Sequence, residues 1–514
     1  MADSIATVGH SATFRRARGA GARWRTFRSW PLSRRLFALL LVIYVVKQVL
    51  SVIIFPPFTG RDEVAHFSYL RTVAIEHRVP IIPDLAAFRS ARLNRGTAVG
   101  DYLPNDRFPY CRYVLDWNYC NETKWLANPP HAVSVGADYY PYGWQYAANH
   151  PPLFYVVMTP LYWLSERTSS ASQLHLIRAA TIPFGLATVL LAYLTALTLF
   201  PGDGFIALGA ASFVAFQPQI SYEAAMVNND IAGIAMYSLL LYLLIRGIRR
   251  GFTWRLASTI GLALGLGLLF KSTTLTIAPV IAFAMVAGIG WRRVREWAVK
   301  GSLVGAITGL LVLPWYLFLH RTYGNFSGLD QIAALQWAYT YRGETPPTIL
   351  GLLWNRDFGR ARWAETWGEF GWRLIQLRSS LLLVIGVPCV IALLGLVFFL
   401  LREAPGVLRP KSARSESETV DSPALWQLKA VATLFLTCIV AYGGVLQFGT
   451  RFELTQARYF FPAINAIALL LALGWRMLIP PAALRYGTAA LFVGLSALNV
   501  VMFTQYVLPF WYLQ

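Results

Sequence analysis

The sequence predicts an all-α protein that crosses a membrane many times. Of its 514 residues, 56% are hydrophobic and 14% are charged, whereas soluble domains usually carry about 25% charged residues. Apolar runs close to the roughly 20 residues that a helix needs to cross a bilayer recur along the whole chain. We therefore expect a polytopic helical bundle with polar loops on both sides of a membrane.

Eleven apolar runs are long enough to predict transmembrane helices. A further apolar stretch, Pro151–Leu164, has about 14 residues, which suits a helix lying at the membrane interface better than one that crosses. The result is a bundle of about 11 transmembrane helices with large outer loops that carry interfacial helices. The predicted spans are residues 36–55, 176–200, 204–220, 230–247, 254–270, 273–290, 301–319, 380–401, 428–446, 459–478 and 486–507.

Basic residues predict the orientation of the bundle, because Arg and Lys accumulate in the short cytoplasmic loops of membrane proteins. The N-terminal arm holds eight arginines between Arg15 and Arg35. With this arm in the cytoplasm, the alternation of spans puts the basic loops that begin at Arg246, Arg292 and Arg402 on the same side. The two longest loops then lie on the outer side, where we expect the functional residues.

The predicted spans divide the chain into six segments. Much of the net charge of +20 lies in cytoplasmic segments that face anionic lipid headgroups, so no nucleic-acid partner is expected. The segments are a basic cytoplasmic arm (1–35), the first transmembrane helix (36–55), an outer loop with interfacial helices (56–175), a transmembrane bundle (176–319), a second outer loop (320–379) and the C-terminal transmembrane helices (380–514).

An acidic pair, Asp62 and Glu63, follows a few residues after the first span. An ionised group close to hydrocarbon is costly unless it faces protein or water, so such a pair indicates a functional site. A solvated loop or a helix N-cap is the alternative interpretation. Apolar residues from Val64 to Ala74 have helical spacing, which predicts a short amphipathic helix along the interface with Asp62 and His66 on one face.

Two basic residues next to other apolar runs indicate an anion. Lys271 has long apolar runs on both sides, so its ammonium group must reach the interface or meet an anion. Arg458 stands at the outer end of another run, and a guanidinium group offers a planar fork to phosphate oxygens. Two prolines after His150 direct that residue towards the start of the short apolar helix, although a simple turn explains the same pattern.

Taken together, these elements resemble the integral-membrane glycosyltransferases with the GT-C fold. Within that superfamily the chain is similar to the bacterial relatives of protein O-mannosyltransferases and of the lipid A aminoarabinose transferase. Some of the elements also resemble DUF2142, a group of bacterial membrane proteins of poorly defined function. The resemblance rests on Asp62-Glu63, His150-Pro151-Pro152-Leu153, Asn228-Asn229-Asp230, Lys271, Phe370-Gly371-Trp372 and Gln456-Ala457-Arg458-Tyr459.

The resemblance implies an enzyme of the bacterial cytoplasmic membrane that transfers a sugar, with inversion, from a polyprenyl-phosphate carrier to a glycan, lipid or protein acceptor on the outer face. The acid of the first outer loop is the general base in such enzymes, a role that falls to Asp62, with Glu63 as the alternative. We expect no metal and no cofactor. The implied substrate-binding residues are His66, His150, Asn229, Asp230, Lys271, Trp372, Gln456, Arg458 and Tyr459.

This chemistry is reasonable for the residues themselves. Inverting transfer needs a carboxylate that takes the acceptor's proton and cations that hold the departing phosphate. A phosphate leaves as a stable anion, so no second acid is required. The residues expected to neutralise this phosphate are Arg458, Lys271 and His150.

Two other functions remain open at this stage. A lipid-linked sugar flippase or another transporter would also have many spans with charged residues inside them. We see no paired halves with broken helices of the kind that many transporters show. A non-catalytic scaffold in an envelope assembly is the second alternative, and it would keep its function without Asp62.

Overall fold

The computed structural model describes residues 32–82, 145–335, 340–341, 344–371, 373–408, 424–453 and 455–513. Most of them are helical, and two short strands, β1 (Glu369–Phe370) and β2 (Ile375–Gln376), pair antiparallel. Short 3₁₀ segments cover Ser272–Ile277, Ala457–Ala463 and Pro481–Ala483, and a π-helical turn covers Phe503–Val507. The α-helices are α1 (Leu32–Ile54), α2 (Glu63–Glu76), α3 (Leu153–Ser165), α4 (Ser170–Leu199), α5 (Gly204–Phe216), α6 (Pro218–Glu223), α7 (Asp230–Arg250), α8 (Trp254–Phe270), α9 (Ala278–Ile289), α10 (Val294–Tyr323), α11 (Leu329–Leu335), α12 (Ile349–Trp354), α13 (Arg356–Trp367), α14 (Ser379–Leu408), α15 (Leu425–Gly449), α16 (Ile464–Leu478), α17 (Leu484–Met502) and α18 (Leu508–Tyr512).

The predicted class, an all-α polytopic membrane protein, is confirmed. Within the described residues, nine helices are long and apolar enough to cross a membrane, and each coincides with a predicted span. The other two predicted spans contain α5, with 13 residues, and α8, with 17 residues, both shorter than the roughly 20 residues of a full crossing. The total of 11 crossings therefore stays a prediction.

Helix α5 lies in the core of the bundle. Every residue from Phe205 to Phe216 is buried, and the helix contacts α1, α4, α16 and α17. A helix that is apolar on all sides gains most by being surrounded with other helices, because it has no polar face to present to water. Gln217 and Pro218 end α5 and begin α6, and this turn leads the chain towards the site described below.

Helices α14 and α16 cross at very short range. Gly395 and Gly474 face each other there, and a Cβ atom added to Gly474 would lie only 1.8 Å from the carbonyl oxygen of Ala392. Small residues let two backbones approach within direct contact, which favours association of helices in lipid. A side chain at Gly474 would therefore force α14 and α16 apart.

Helix α2 confirms the predicted helix after Asp62, but it does not have the expected polar and apolar faces. Ten of its 14 residues are buried, because α2 packs against α3 on one side and the bundle on the other. Tyr69 of α2 stacks on Tyr155 of α3 with ring centroids 3.6 Å apart. The predicted polar and apolar faces are therefore wrong for α2, whereas its position at the membrane interface stays a prediction. The helix predicted in the stretch Pro151–Leu164 is confirmed, and it corresponds to α3.

Candidate active site

A cavity of about 550 Å³ opens where several helix ends meet. It lies between the start of α2, the turn before α3, the 3₁₀ segment after α8, the end of α10 and the end of α15. One part of its wall is apolar, with Leu275, Leu319, Ile332, Phe448 and Phe452. The polar part contains six of the residues that the sequence indicated, namely Asp62, His150, Lys271, Gln456, Arg458 and Tyr459.

Asp62 precedes the first residue of α2 and has a left-handed backbone, with φ of 55°. Asp tolerates this conformation better than most residues with a side chain. Its side chain does not cap α2. Instead, the carboxylate pairs with Arg458, and Oδ1 accepts a hydrogen bond from the hydroxyl of Tyr146 at 3.3 Å. The helix start therefore aims the carboxylate into the cavity.

The charges around Asp62 keep its carboxyl group ionised. Burial by itself would raise the pKa of Asp62, because it disfavours the charged form. Arg458 above all, with a smaller contribution from Arg61, outweighs burial, and the pKa of Asp62 falls below its ordinary value. Asp62 is therefore a carboxylate at neutral pH, as a general base must be.

Two acids and two cations alternate along one side of the cavity. Arg458 pairs with Asp62, and its Nη1 lies 3.2 Å from Oδ2 of Asp230. Oδ1 of Asp230 lies 2.7 Å from Nζ of Lys271. Lys271 also donates a hydrogen bond of 3.0 Å to Oδ1 of Asn229. Asn229 and Asp230 do not line the cavity, and their contribution is to hold the two cations that do.

Arg458 retains hydrogen-bonding capacity in this arrangement. Its side chain is only 5% exposed, yet within the described residues Nε has no hydrogen-bond acceptor, and Nη1 lies close to Asp230 without the alignment of a hydrogen bond. Buried donors without acceptors are costly, so an anion that entered the cavity would bring oxygen atoms where they are needed. Among the described residues, no group of three or more His, Cys, Asp or Glu side chains could hold a metal ion.

His150 lines the cavity, whereas His66 is buried behind it. Nδ1 of His66 lies 2.7 Å from the hydroxyl of Tyr155, and the two imidazole rings stack at 5.4 Å. Burial, followed by the charge of Lys271, lowers the pKa of His66 to about 3 and that of His150 well below its ordinary value. Both rings are therefore neutral at pH 7. Whether His150 neutralises phosphate charge stays a prediction, because the charge of a bound phosphate would itself raise the pKa of the ring.

Glu63 lies away from the cavity although it follows Asp62 directly. Its side chain is fully buried and paired with Arg178, at 2.7 Å from Nε and 2.6 Å from Nη2. Its two oxygens also accept hydrogen bonds from the backbone N–H groups of Gly60 and Val227, at 3.0 and 2.9 Å. Each oxygen thus has two donors, and none is free for a substrate.

Three further predicted residues complete the comparison with the sequence. Gln456 lines the cavity, and its buried Oε1 has no hydrogen-bond donor within the described part of the chain. Tyr459 also lines the cavity, and its ring packs edge-on against Phe448 at 5.0 Å. Trp372 lies outside the described residues.

Sequence reasoning did not single out Arg178 or Tyr146. Arg178 stands in the predicted span 176–200, and an arginine inside an apolar run requires a buried partner, so its presence was a usable signal. Tyr146 belongs to the aromatic-rich stretch before His150 and carries no distinct signal, because aromatic residues are common at membrane interfaces.

Part of the chain matches a known protein family. Residues 149–318 match the family model described as dolichyl-phosphate-mannose-protein mannosyltransferase. This segment begins beside His150 and includes Asn229, Asp230 and Lys271. No curated protein matches the chain by sequence.

Solved structures of low sequence identity resemble the chain over most of its length. The crystal structure of ArnT from Cupriavidus metallidurans bound to undecaprenyl phosphate has 12% identity and a TM-score of 0.47, over 92% of this chain and 73% of that chain. The oligosaccharyltransferase from Archaeoglobus fulgidus, in the apo form, has 14% identity and a TM-score of 0.42, over 90% of this chain and 54% of that chain. The chain therefore spans about half the length of the oligosaccharyltransferase.

The resemblance to DUF2142 stays a prediction. The family match extends over a large part of the predicted bundle and over four of the polar residues that build the site, His150, Asn229, Asp230 and Lys271. The resemblance to GT-C membrane glycosyltransferases is therefore confirmed for residues 149–318, which match the dolichyl-phosphate-mannose-protein mannosyltransferase family.

Proposed function

We propose that this protein is an inverting glycosyltransferase that uses a polyprenyl-phosphate-linked sugar as donor and a hydroxyl group as acceptor. One observation carries the proposal. The Asp62 carboxylate and the cations Arg458 and Lys271 meet in a single cavity that also has an apolar wall. A base, an anion site and a lipid-compatible surface are the parts that this reaction requires. The match of residues 149–318 to a mannosyltransferase family supports the same class of reaction.

The donor phosphate would bind to Arg458 and Lys271. Arg458 has buried donors without acceptors, and both cations line the cavity. Charge-assisted hydrogen bonds between a guanidinium group and phosphate are short and directional. The prenyl chain would continue along the apolar wall, where Leu275, Leu319 and Phe448 provide a surface without charge.

In the transfer step, Asp62 removes the proton from the acceptor hydroxyl while the acceptor oxygen attacks the anomeric carbon. The bond between that carbon and the phosphate oxygen breaks, and its electron pair leaves with polyprenyl phosphate. Arg458 and Lys271 stabilise the negative charge on the departing phosphate. Attack on the face opposite the leaving group inverts the anomeric centre, and the proton remains on Asp62 until water removes it.

Donor binding would also activate the base. In the free site Arg458 is the main group that lowers the pKa of Asp62, and this makes Asp62 a weak base. A phosphate that draws the guanidinium group towards itself weakens this pairing. The pKa of Asp62 then rises towards the range in which a carboxylate accepts a proton efficiently. The base thus gains strength only when the donor is in place.

The other polar residues have supporting roles in this proposal. Asp230 and Asn229 orient Lys271, and Asp230 also faces Arg458. His66 supports the ring of His150, which would donate a hydrogen bond to the sugar or to the phosphate. Gln456 and Tyr459 would contact the substrate from the cavity wall, and Trp372 would do so from the second outer loop. Glu63 would anchor the start of α2 and would not act as a base.

The proposal keeps the orientation predicted from the basic loops, with the N terminus in the cytoplasm and the cavity on the outer face of the bacterial membrane. Acceptor and donor would then meet outside the cytoplasm. A cysteine placed at Ser327 on the cavity rim should react with a membrane-impermeant maleimide in intact cells. Labelling only after cell lysis would contradict the orientation.

Sugar transfer in nanodiscs tests the function directly. Purified protein would be supplied with a panel of radiolabelled polyprenyl-phosphate sugars and native membrane acceptors, and wild type would be compared with Asp62→Asn. Asn suits the left-handed backbone at this position, so the variant should fold. We expect transfer by wild type and a rate at least about 100-fold lower in the variant. Lipid-linked sugar movement between leaflets without any transfer would instead indicate a flippase.

A further inference from the structure

A group of charged residues on the second outer loop contacts the chain next to both Asp62 and Arg458. Glu365 of α13 accepts a hydrogen bond of 2.8 Å from the backbone N–H of Ala457. Its other oxygen accepts hydrogen bonds from Arg362 at 2.5 Å and Arg373 at 2.7 Å. Ala457 directly precedes Arg458, so Glu365 holds the backbone from which the arginine extends.

A second glutamate on the same loop makes the corresponding contact on the other side of the site. Glu369 forms a buried ion pair with Arg61, which directly precedes Asp62. Glu369 also faces Arg373, whose Nε lies 3.4 Å away. Arg373 therefore lies between the two glutamates and contacts both.

Neither glutamate lines the cavity, and each is only 6% exposed. A buried carboxylate is costly unless it is paired and hydrogen-bonded, and here both carboxylates have arginine partners. The pairing of Asp62 with Arg458 joins residues 396 positions apart in the sequence. Nothing in the local chain sets their separation, so it depends on groups that hold both backbones at once.

We propose that Glu365 and Glu369 are positioning residues that hold Arg458 and Asp62 at the separation the transfer reaction requires. The proposal rests on the function proposed above, because it assigns the pair a role in that reaction. Displacement of a catalytic group by about 1 Å can reduce a rate about 100-fold. The two glutamates do not touch the substrate and act only through Ala457 and Arg61.

The substitution Glu365→Gln disturbs this arrangement without removing bulk. Three N–H donors point at the two oxygens of Glu365, and glutamine replaces one oxygen with another donor. If the remaining oxygen faces the two arginines, the amide N–H₂ group faces the N–H of Ala457 and repels it. Arg458 should then move away from Asp62.

The protonation of Asp62 reports this movement without requiring any enzymatic activity. Dicyclohexylcarbodiimide is an apolar reagent that labels protonated carboxyl groups, and peptide mass spectrometry would quantify labelling at Asp62 between pH 4 and pH 7. The charged or titratable groups around Asp62 include Arg458, His66, Arg61, Tyr146, Tyr155 and Tyr459. The variant Arg458→Gln removes the guanidinium group, so it shows how far the labelling of Asp62 shifts when Arg458 is lost completely.

We expect Glu365→Gln to shift the labelling of Asp62 to higher pH, in the same direction as Arg458→Gln. Each unit of pKa changes the protonated fraction about tenfold in the pH range above the pKa. The direction of the shift in labelling distinguishes two explanations. Removal of a nearby negative charge with no movement would lower the pKa of Asp62 and reduce labelling, whereas displacement of Arg458 raises both.

Glu296→Gln is the matched control. Glu296 also contacts two cations, Lys300 and Arg293, but it lies 20 residues before Tyr316 on the same helix, which is roughly 30 Å along the axis. It should leave labelling unchanged. Glu369→Gln provides a second variant if Glu365→Gln does not fold, with the same expected direction.

Unchanged or reduced labelling in both glutamate variants, with a clear increase in Arg458→Gln, would overturn the positioning role. The result does not depend on finding the donor. If wild type transferred no sugar from any donor, the proposed function would fail while the labelling still decided whether the glutamates set the Asp62–Arg458 separation. With an active donor, we expect Glu365→Gln to reduce kcat about 10-fold to 100-fold and to move the acidic limb of the pH–rate profile upwards.

Discussion

Asp62 and Glu63 are adjacent acids that each pair with an arginine, yet their surroundings differ completely. Glu63 has no exposed surface, and four donors from Arg178, Gly60 and Val227 satisfy its two oxygens. Asp62 is 16% exposed and faces a cavity, and its partner Arg458 keeps donors without acceptors. A fully satisfied carboxylate stabilises structure, whereas a partly satisfied one beside a cavity can exchange its partners for a substrate.

This difference has a local backbone origin. The left-handed conformation at Asp62, with φ of 55°, turns successive side chains in different directions at the start of α2. Glu63 points back towards Gly60 and α4, and Asp62 points towards Arg458. One residue of sequence separation is therefore enough to place two like acids in two different environments.

The largest expected effect tests whether Asp62 is the general base. Asp62→Asn removes the base and keeps the shape of the side chain, so the rate of transfer should fall by about 10²-fold to 10⁴-fold. The melting temperature should change little, because Asn tolerates the backbone at this position. Transfer kinetics and thermal unfolding of the same nanodisc preparations would measure both. Retained activity here, with activity lost in Glu63→Gln at unchanged stability, would exchange the roles of the two acids.

The next largest effect tests whether Glu63 stabilises the fold. Glu63→Gln leaves the guanidinium group of Arg178 buried without a charged partner, and breaking a buried pair in this way typically costs about 3–5 kcal/mol. We expect a clear loss of thermal stability and of protein yield.

The double variant Glu63→Gln/Arg178→Met is the control for this prediction. It removes both charges, so it should recover part of the lost stability. If the double variant were no more stable than Glu63→Gln alone, the pairing with Arg178 would not be the source of the loss.

A smaller effect is expected at the second cation of the site. Lys271→Met removes a charge-assisted contact to the donor phosphate, and such contacts contribute about 1.5–3 kcal/mol. The ratio kcat/KM for the donor should therefore fall about 10-fold to 100-fold. Steady-state kinetics with varied donor would measure it. An unchanged kcat/KM would place the phosphate at Arg458 alone.

The smallest effect concerns another buried acid, Glu223, whose hydrogen-bond partners are amides. Asn228 donates to it at 2.8 Å and Gln219 at 3.3 Å, and burial above all raises its pKa to about 7. A raised folded-state pKa means that the folded protein retains the proton. Stability is then complete below the unfolded-state pKa and declines as the pH rises towards and through about 7.

Glu223→Gln should remove this dependence, because glutamine keeps the hydrogen-bonding shape and does not ionise. The difference in melting temperature between pH 5 and pH 8 should be smaller in the variant than in wild type. The measurement is thermal unfolding at the two pH values, and an identical difference in the two proteins would contradict the proton on Glu223.

The sequence predicted much of the site because its chemistry is conspicuous in an apolar chain. Lys271 and Arg458 stood out as charges next to apolar runs, and six of the predicted residues line one cavity. The alternatives for the base remained open, because Asp62 and Glu63 are equivalent in composition and position. The ionisation of His150 depends on burial beside Lys271, which no local pattern in the sequence records.

What the sequence by itself determined was the helical membrane class, the approximate bounds of the long helices and the residue types available for chemistry. These properties depend on local composition and on the cost of placing charges near hydrocarbon. Only the tertiary structure decided which charges meet. Asp62 and Arg458 are 396 positions apart and Glu63 and Arg178 are 115 apart. Such contacts follow from how distant helices pack, and no local pattern records that packing.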